Sequence, residues 1–133
     1  MPKNIAYTIA RFLAAIIMFQ TLYFKFTGAP ESMYIFEKCG MEPEGRLMVG
    51  ILELVASVLL VLPPTAWIGG LLGAGLMAGA LGLHLTILGI EVMGDGGYLF
   101  LLALLVFICC IYVIFVQRNK IFKEVLPKIL GKK

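Results

Sequence analysis

Gln20, Glu53 and His84 sit inside otherwise apolar stretches of this chain, and His84 is the single histidine among 133 residues. A carboxylate and an imidazole facing one space can exchange a proton or grip the polar head of a ligand, because imidazole titrates near neutrality and a carboxylate away from water needs a partner. Tyr23 and Lys25 follow Gln20 toward the end of the same stretch, while Glu91 and Asp95 follow His84. One histidine with one or two carboxylates is a thin set for a transition metal, which takes three or four protein ligands, so no metal site is expected. The chain has no C-x-x-C, no P-loop and no histidine pair for haem. Redox work would therefore need a bound carrier such as a quinone, or a partner protein.

The elements that position these groups are helices in lipid. Apolar residues make up 61% of the chain and charged residues 14%, too much apolar surface for a soluble domain of this length to bury. Nearly uncharged runs at 12–24, 47–62, 66–90 and 98–117 are separated by the charges and prolines. A span takes about 20 helical residues. The runs predict four transmembrane helices at 5–26, 46–62, 66–90 and 98–117, the second borrowing a turn at Gly45-Arg46. The fold class expected is all-α, an integral membrane four-helix bundle forming one domain over 1–133. The first run ends in Tyr23-Phe24-Lys25-Phe26 without a small-residue cleavage site, so it reads as a retained helix.

Charge sets the orientation. The tail at 118–133 carries Arg118, Lys120, Lys123, Lys128, Lys132 and Lys133 against Glu124, and Lys3 and Arg11 lie at the other end. The loops after the first and third runs hold Glu31, Glu37, Glu42, Glu44, Glu91 and Asp95. Both termini are expected inside, N-in and C-in, with a basic cytoplasmic tail against anionic headgroups. The net charge of +3 is this asymmetry summed, and implies lipid contact rather than nucleic acid. Between the first two spans, Met33, Phe36 and Cys39 recur among Glu31, Glu37 and Lys38, which predicts a short helix lying on the outer surface. Cys39 and the adjacent Cys109-Cys110 differ in depth, so no disulfide is expected. In the third run Gly69, Gly73, Ala80 and His84 form one stripe and Gly75, Gly79 and Gly82 another, predicting helix partners on two sides.

At about 1.5 Å per residue, Gln20, Glu53 and His84 each lie roughly 8–10 Å below the outer surface, on three different helices. A lone charge in hydrocarbon costs at least about 2.5–3.5 kcal/mol, so Glu53 needs His84, Gln20 or the tip of Lys25. The shared depth predicts an outward-facing pocket in which Glu53, His84, Gln20, Lys25 and Tyr23 bind a quinone-like or amphipathic small molecule. The alternative is a polar clasp that fixes helix register in a non-enzymatic assembly or chaperone-like protein.

These residues also form a pattern. Arg11 in R-F-L, Lys25, G-I-L-E-L at 50–54, P-P-T-A-W-I-G-G at 63–70, G-A-L-G-L-H-L-T at 79–86 and G-D-G-G-Y-L-F at 94–100 occur in this order. The chain resembles the DoxX family of small four-helix bacterial membrane proteins from about Ala10 to Gln117. It differs from the family pattern at Thr21-Leu22-Tyr23-Phe24 and at Ser57, where a glycine is common. The resemblance implies a multi-pass protein of the bacterial inner (cytoplasmic) membrane. The family includes the membrane subunit of a thiosulfate:quinone oxidoreductase, a member that assembles with redox-stress enzymes, and animal relatives that act as assembly chaperones or cargo receptors. It thus implies a quinone as ligand and protein partners in a redox complex, with homo-oligomers left open.

Overall fold

The computed structural model describes residues 5–131. The described chain is all-helical and contains no strand. Four long helices, α1 (Ile5–Thr27), α3 (Glu44–Val61), α4 (Ala66–Leu83) and α5 (Tyr98–Val116), form a closed ring in which each packs on two neighbours. The short α2 (Pro30–Lys38) bridges α1 and α3. Prolines 63 and 64 end α3, since proline cannot continue the hydrogen-bond ladder, and a 3-10 turn over Pro63–Thr65 leads directly into α4. Beyond Leu83 the α4 ladder widens into a π turn, His84–Leu88, which Gly89 stops at φ +82°. The tail continues helically over Arg118–Lys120, Ile121–Val125 and Leu126–Ile129.

Of these helices, α1, α5 and the Pro63–Leu88 segment are long and apolar enough to cross a membrane. Helix α3 is 18 residues long but carries Glu44, Arg46 and Glu53, so length and composition alone do not mark it as a span.

Two arginines tie α1 to α3 at opposite ends. Arg11, buried near the start of α1, donates from Nε to Leu60 O (2.9 Å) and from Nη2 to Val61 O (2.7 Å) at the end of α3. Arg46, near the start of α3, donates from Nη1 to Lys25 O in the last turn of α1 and grips Glu42 through Nε and Nη2 at 2.9 Å. A helix C-terminus leaves carbonyls without intrahelical donors and carries partial negative charge, and each guanidinium answers both. The reciprocal caps show α1 and α3 to be antiparallel. Gln117 Nε2 donating to Tyr7 Oη at 2.8 Å does the same for α1 and α5.

At the end of the ring marked by Arg11 and Gln117 the core is tightly packed. Ala10, Ala14, Ala56, Leu60, Ala66, Cys109, Cys110 and Val113 are all buried there. Gly69 lets the backbones of α3 and α4 touch: a Cβ there would lie 2.7 Å from Leu60 N and 2.9 Å from Ala56 O. Gly70 and Gly73 meet Val113 and Cys110 of α5 in the same way. The second glycine stripe does not behave as expected, since a Cβ at Gly75, Gly79 or Gly82 would meet nothing within 4 Å. Periodicity marks a face as small but says nothing of whether a helix covers it.

Helix α2 starts at Pro30, whose fixed φ suits the first helical turn, and ends at Gly40 with φ +73°. Its buried residues are Ser32 and Phe36, while Met33, expected on the apolar side, stays 39% exposed.

Candidate functional site

The opposite end of the ring is hollow. A cavity of about 730 Å³ lies between the upper halves of the four long helices and under α2. Its polar lining comes from five places in the chain: Thr21 and Lys25 of α1, Glu31 and Ser32 of α2, Glu53 of α3, His84 after α4, and Asp95. Its far end is apolar, walled by Ile17, Met18, Leu76, Met77, Ala103 and Val106.

Glu53 is 2% exposed. Lys25 Nζ lies 2.9 Å from Glu53 Oε1, an ionic contact bridging α1 and α3. Beyond this contact Oε1 has no further hydrogen-bond donor among the described residues. The carboxylate is thus charge-compensated by Lys25 and keeps acceptor capacity for a further donor in the cavity. The helix beneath is kept regular by Ser57, whose Oγ donates to Glu53 O at 2.8 Å.

His84 is 5% exposed and stacks edge-on against Phe100, with ring centroids 5.7 Å apart. Its Nδ1 lies 3.0 Å from Gly89 O. A carbonyl only accepts, so Nδ1 carries the proton, and in the neutral ring Nε2 is left as a lone-pair acceptor. Nε2 makes no hydrogen bond to a described residue. Glu53 and His84 thus line one cavity without being bonded to each other. The π turn that begins at His84 makes this geometry by bringing Gly89 O back onto the ring.

Asp95 has a structural task. Its Oδ1 accepts from Val92 N (3.0 Å) in the preceding loop and from Gly97 N (2.8 Å), and Oδ2 from Leu99 N (3.1 Å), the last two being free amides at the start of α5. Burial raises its carboxyl pKa, but donation from the backbone amides of Val92, Gly97, Leu99 and Tyr98 outweighs this and holds it below the ordinary 3.8. Among the described residues no three His, Cys, Asp or Glu side chains gather as a metal would require.

Two of the five expected ligand-binding residues lie elsewhere. Gln20 is exposed and lines a shallow outward groove with Phe19, Ser57 and Val58. Tyr23 is 68% exposed and lies edge-on to Phe24, centroids 5.6 Å apart. Depth places a residue along the bilayer normal and leaves its direction around the helix open. The face that α1 turns inward runs Arg11, Ala14, Met18, Leu22 at spacings of three and four, and it reaches Lys25 rather than Gln20 or Tyr23. Thr21, Ser32 and Glu31 line the cavity without a sequence signal that sets them apart. The Glu42–Arg46 pair was visible as opposite charges four apart.

No family model, curated protein or solved structure matches the chain.

Proposed function

We propose that this is a DoxX-like multi-pass protein of the bacterial inner membrane whose outward cavity binds an amphipathic small molecule with a hydroxyl-bearing head, a quinol being the type. In this reading α3 is a fourth span. Two of its three charges are paired, Arg46 with Glu42 just before the helix and Glu53 with Lys25 of α1, and the third, Glu44, is its first residue, so little net charge enters the lipid. The basic tail and acidic loops then place both termini in the cytoplasm and the cavity mouth outside.

One observation carries the ligand: two buried residues line one cavity with polar atoms left over, Glu53 Oε1, which meets only the ionic contact of Lys25, and His84 Nε2, which in the neutral ring is an acceptor without a donor among the described residues. A head with two hydroxyls supplies what they want, and Lys25 Nζ can donate to a third oxygen. The cavity is of ordinary size for a small-molecule site, which spans about 300–1,000 Å³. A quinone carries carbonyl oxygens, which only accept, and so suits these two atoms less well than its quinol.

The test is equilibrium binding of ubiquinol and ubiquinone, each with one isoprene unit, to protein in lipid nanodiscs. Ubiquinol is expected to bind at least tenfold more tightly than ubiquinone, a factor worth about 1.4 kcal/mol, and His84→Phe to remove that preference. Binding of neither probe, or equal binding of both that survives His84→Phe, overturns the reading.

A second reading has its own support, since Lys25–Glu53 and the two arginine caps join α1 to α3 in three places. A polar clasp in an assembly protein would use these contacts for stability alone. It predicts that Lys25 and Glu53 substitutions lower thermal stability with no ligand to lose.

A further inference from the structure

We infer that the cavity's ligand has an apolar tail longer than the cavity, and that this tail leaves sideways into the bilayer across Gly75 and Gly79 of α4. The inference rests on the binding role proposed above. It starts from how the lining is distributed. Lys25, Glu31, Ser32, Glu53, His84 and Asp95 gather at the outer end, and the wall below them is apolar. From His84 down to Gly75, the lowest cavity residue on α4, is nine residues, about 13–14 Å along the helix. A ligand seated with its head at Glu53 and His84 therefore points its apolar part toward the bilayer centre and comes to the end of the cavity within that distance.

What bounds the cavity at that point is backbone without side chain. Gly75 and Gly79 both line it, both are exposed on the outer surface of the ring, and a Cβ at either would meet nothing within 4 Å. A residue that is at once cavity wall and outer surface marks a place where the two spaces join. Every other glycine of α4 within the packed half is pressed against α3 or α5, so the openness is local to the level of the cavity. The head-group end points independently to a ligand, because the 5% exposed His84 leaves Nε2 without a donor in the same cavity.

A second copy of the chain could instead press a helix onto this stripe, as small residues allow in membranes. The experiment separates the two. Wild type, Gly75→Leu and Gly79→Leu are placed in nanodiscs, and binding is measured for ubiquinol with one isoprene unit and for decyl-ubiquinol, each corrected for partition into empty discs. The Leu side chains point into open space, so the variants fold with thermal midpoints at or above wild type. Wild type is expected to favour the decyl probe. Both variants are expected to hold the short probe within threefold of wild type and to lose at least tenfold in decyl affinity. Equal treatment of the two tails by the variants overturns the tail path while leaving the head-group site standing. So does a shift of the wild type from dimer to monomer on Leu substitution, read by native mass spectrometry. Failure of wild type to bind either probe removes the binding role itself, and the tail path with it.

Discussion

Lys25→Met takes away the cation facing Glu53, and the two sides of that ion pair are not equivalent. The Glu53 side chain is 3% accessible, whereas the Lys25 side chain is 16% accessible and lies in the last turn of α1. Removing the cation leaves a buried carboxylate alone, which costs about 3–5 kcal/mol. Glu53→Leu leaves Lys25, whose flexible stem can turn the ammonium outward, so the loss is about 1–2 kcal/mol, in the range of one unsatisfied polar group. Replacing both, Lys25→Met with Glu53→Leu, exchanges an ion pair for apolar contact of similar volume and is expected to lie within about 1 kcal/mol of wild type or above it. The coupling energy of the cycle is then at least about 3 kcal/mol. Titration with dodecyl sulfate from mixed micelles, followed by far-ultraviolet circular dichroism, gives the four unfolding free energies. Equal losses for the two single variants, or additive losses in the double, would refute the asymmetry drawn from accessibility.

Gly69→Ala forces a Cβ onto the backbone of α3 and is expected to cost about 1–3 kcal/mol, while Gly79→Ala meets nothing and gains up to about 1 kcal/mol from helix propensity; thermal midpoints in detergent compare them. Asp95 has a lowered carboxyl pKa, so its contribution is complete above the ordinary value and fades as pH falls through the lowered one. Asp95→Asn should therefore speed amide exchange over 92–99 at pH 7, with the difference from wild type shrinking below about pH 4. Cys39 follows α2, in the segment proposed to face outside, with its thiol pushed up by burial, partly offset by Lys38, so an impermeant maleimide added outside intact cells should label it and react faster as pH rises past neutrality. Labelling only after lysis would contradict the proposed orientation.

The helices were legible because their signal is long and repeated. Each apolar run had to end at charges or prolines, and α3, expected over 46–62, runs Glu44–Val61, starting two residues sooner where Arg46 and Glu42 neutralise each other. The cavity was half legible. Depth brought Glu53 and His84 to one level and Lys25 to the rim, but it could not say that Lys25 would reach Glu53, or that the His84 ring would bond Gly89. Those facts depend on azimuth and on a π turn, neither of which leaves a period in the sequence. Gln20 and Tyr23 show the same gap from the other side, at suitable depth on the lipid-facing side of α1. Arg11 read as a cytoplasmic charge, and its role as a cap on Leu60 and Val61 emerges only once α3 ends beside it.

Mass spectrometry of lipids that stay with the protein through purification in native-membrane nanodiscs tests the central claim most directly. The account predicts a hydroxyl-headed molecule with an apolar tail at about one per chain in wild type, falling to the level of the surrounding membrane in the double variant Glu53→Leu, His84→Phe. Recovery of bulk two-chain phospholipid alone, in the same proportions from both proteins, would contradict it.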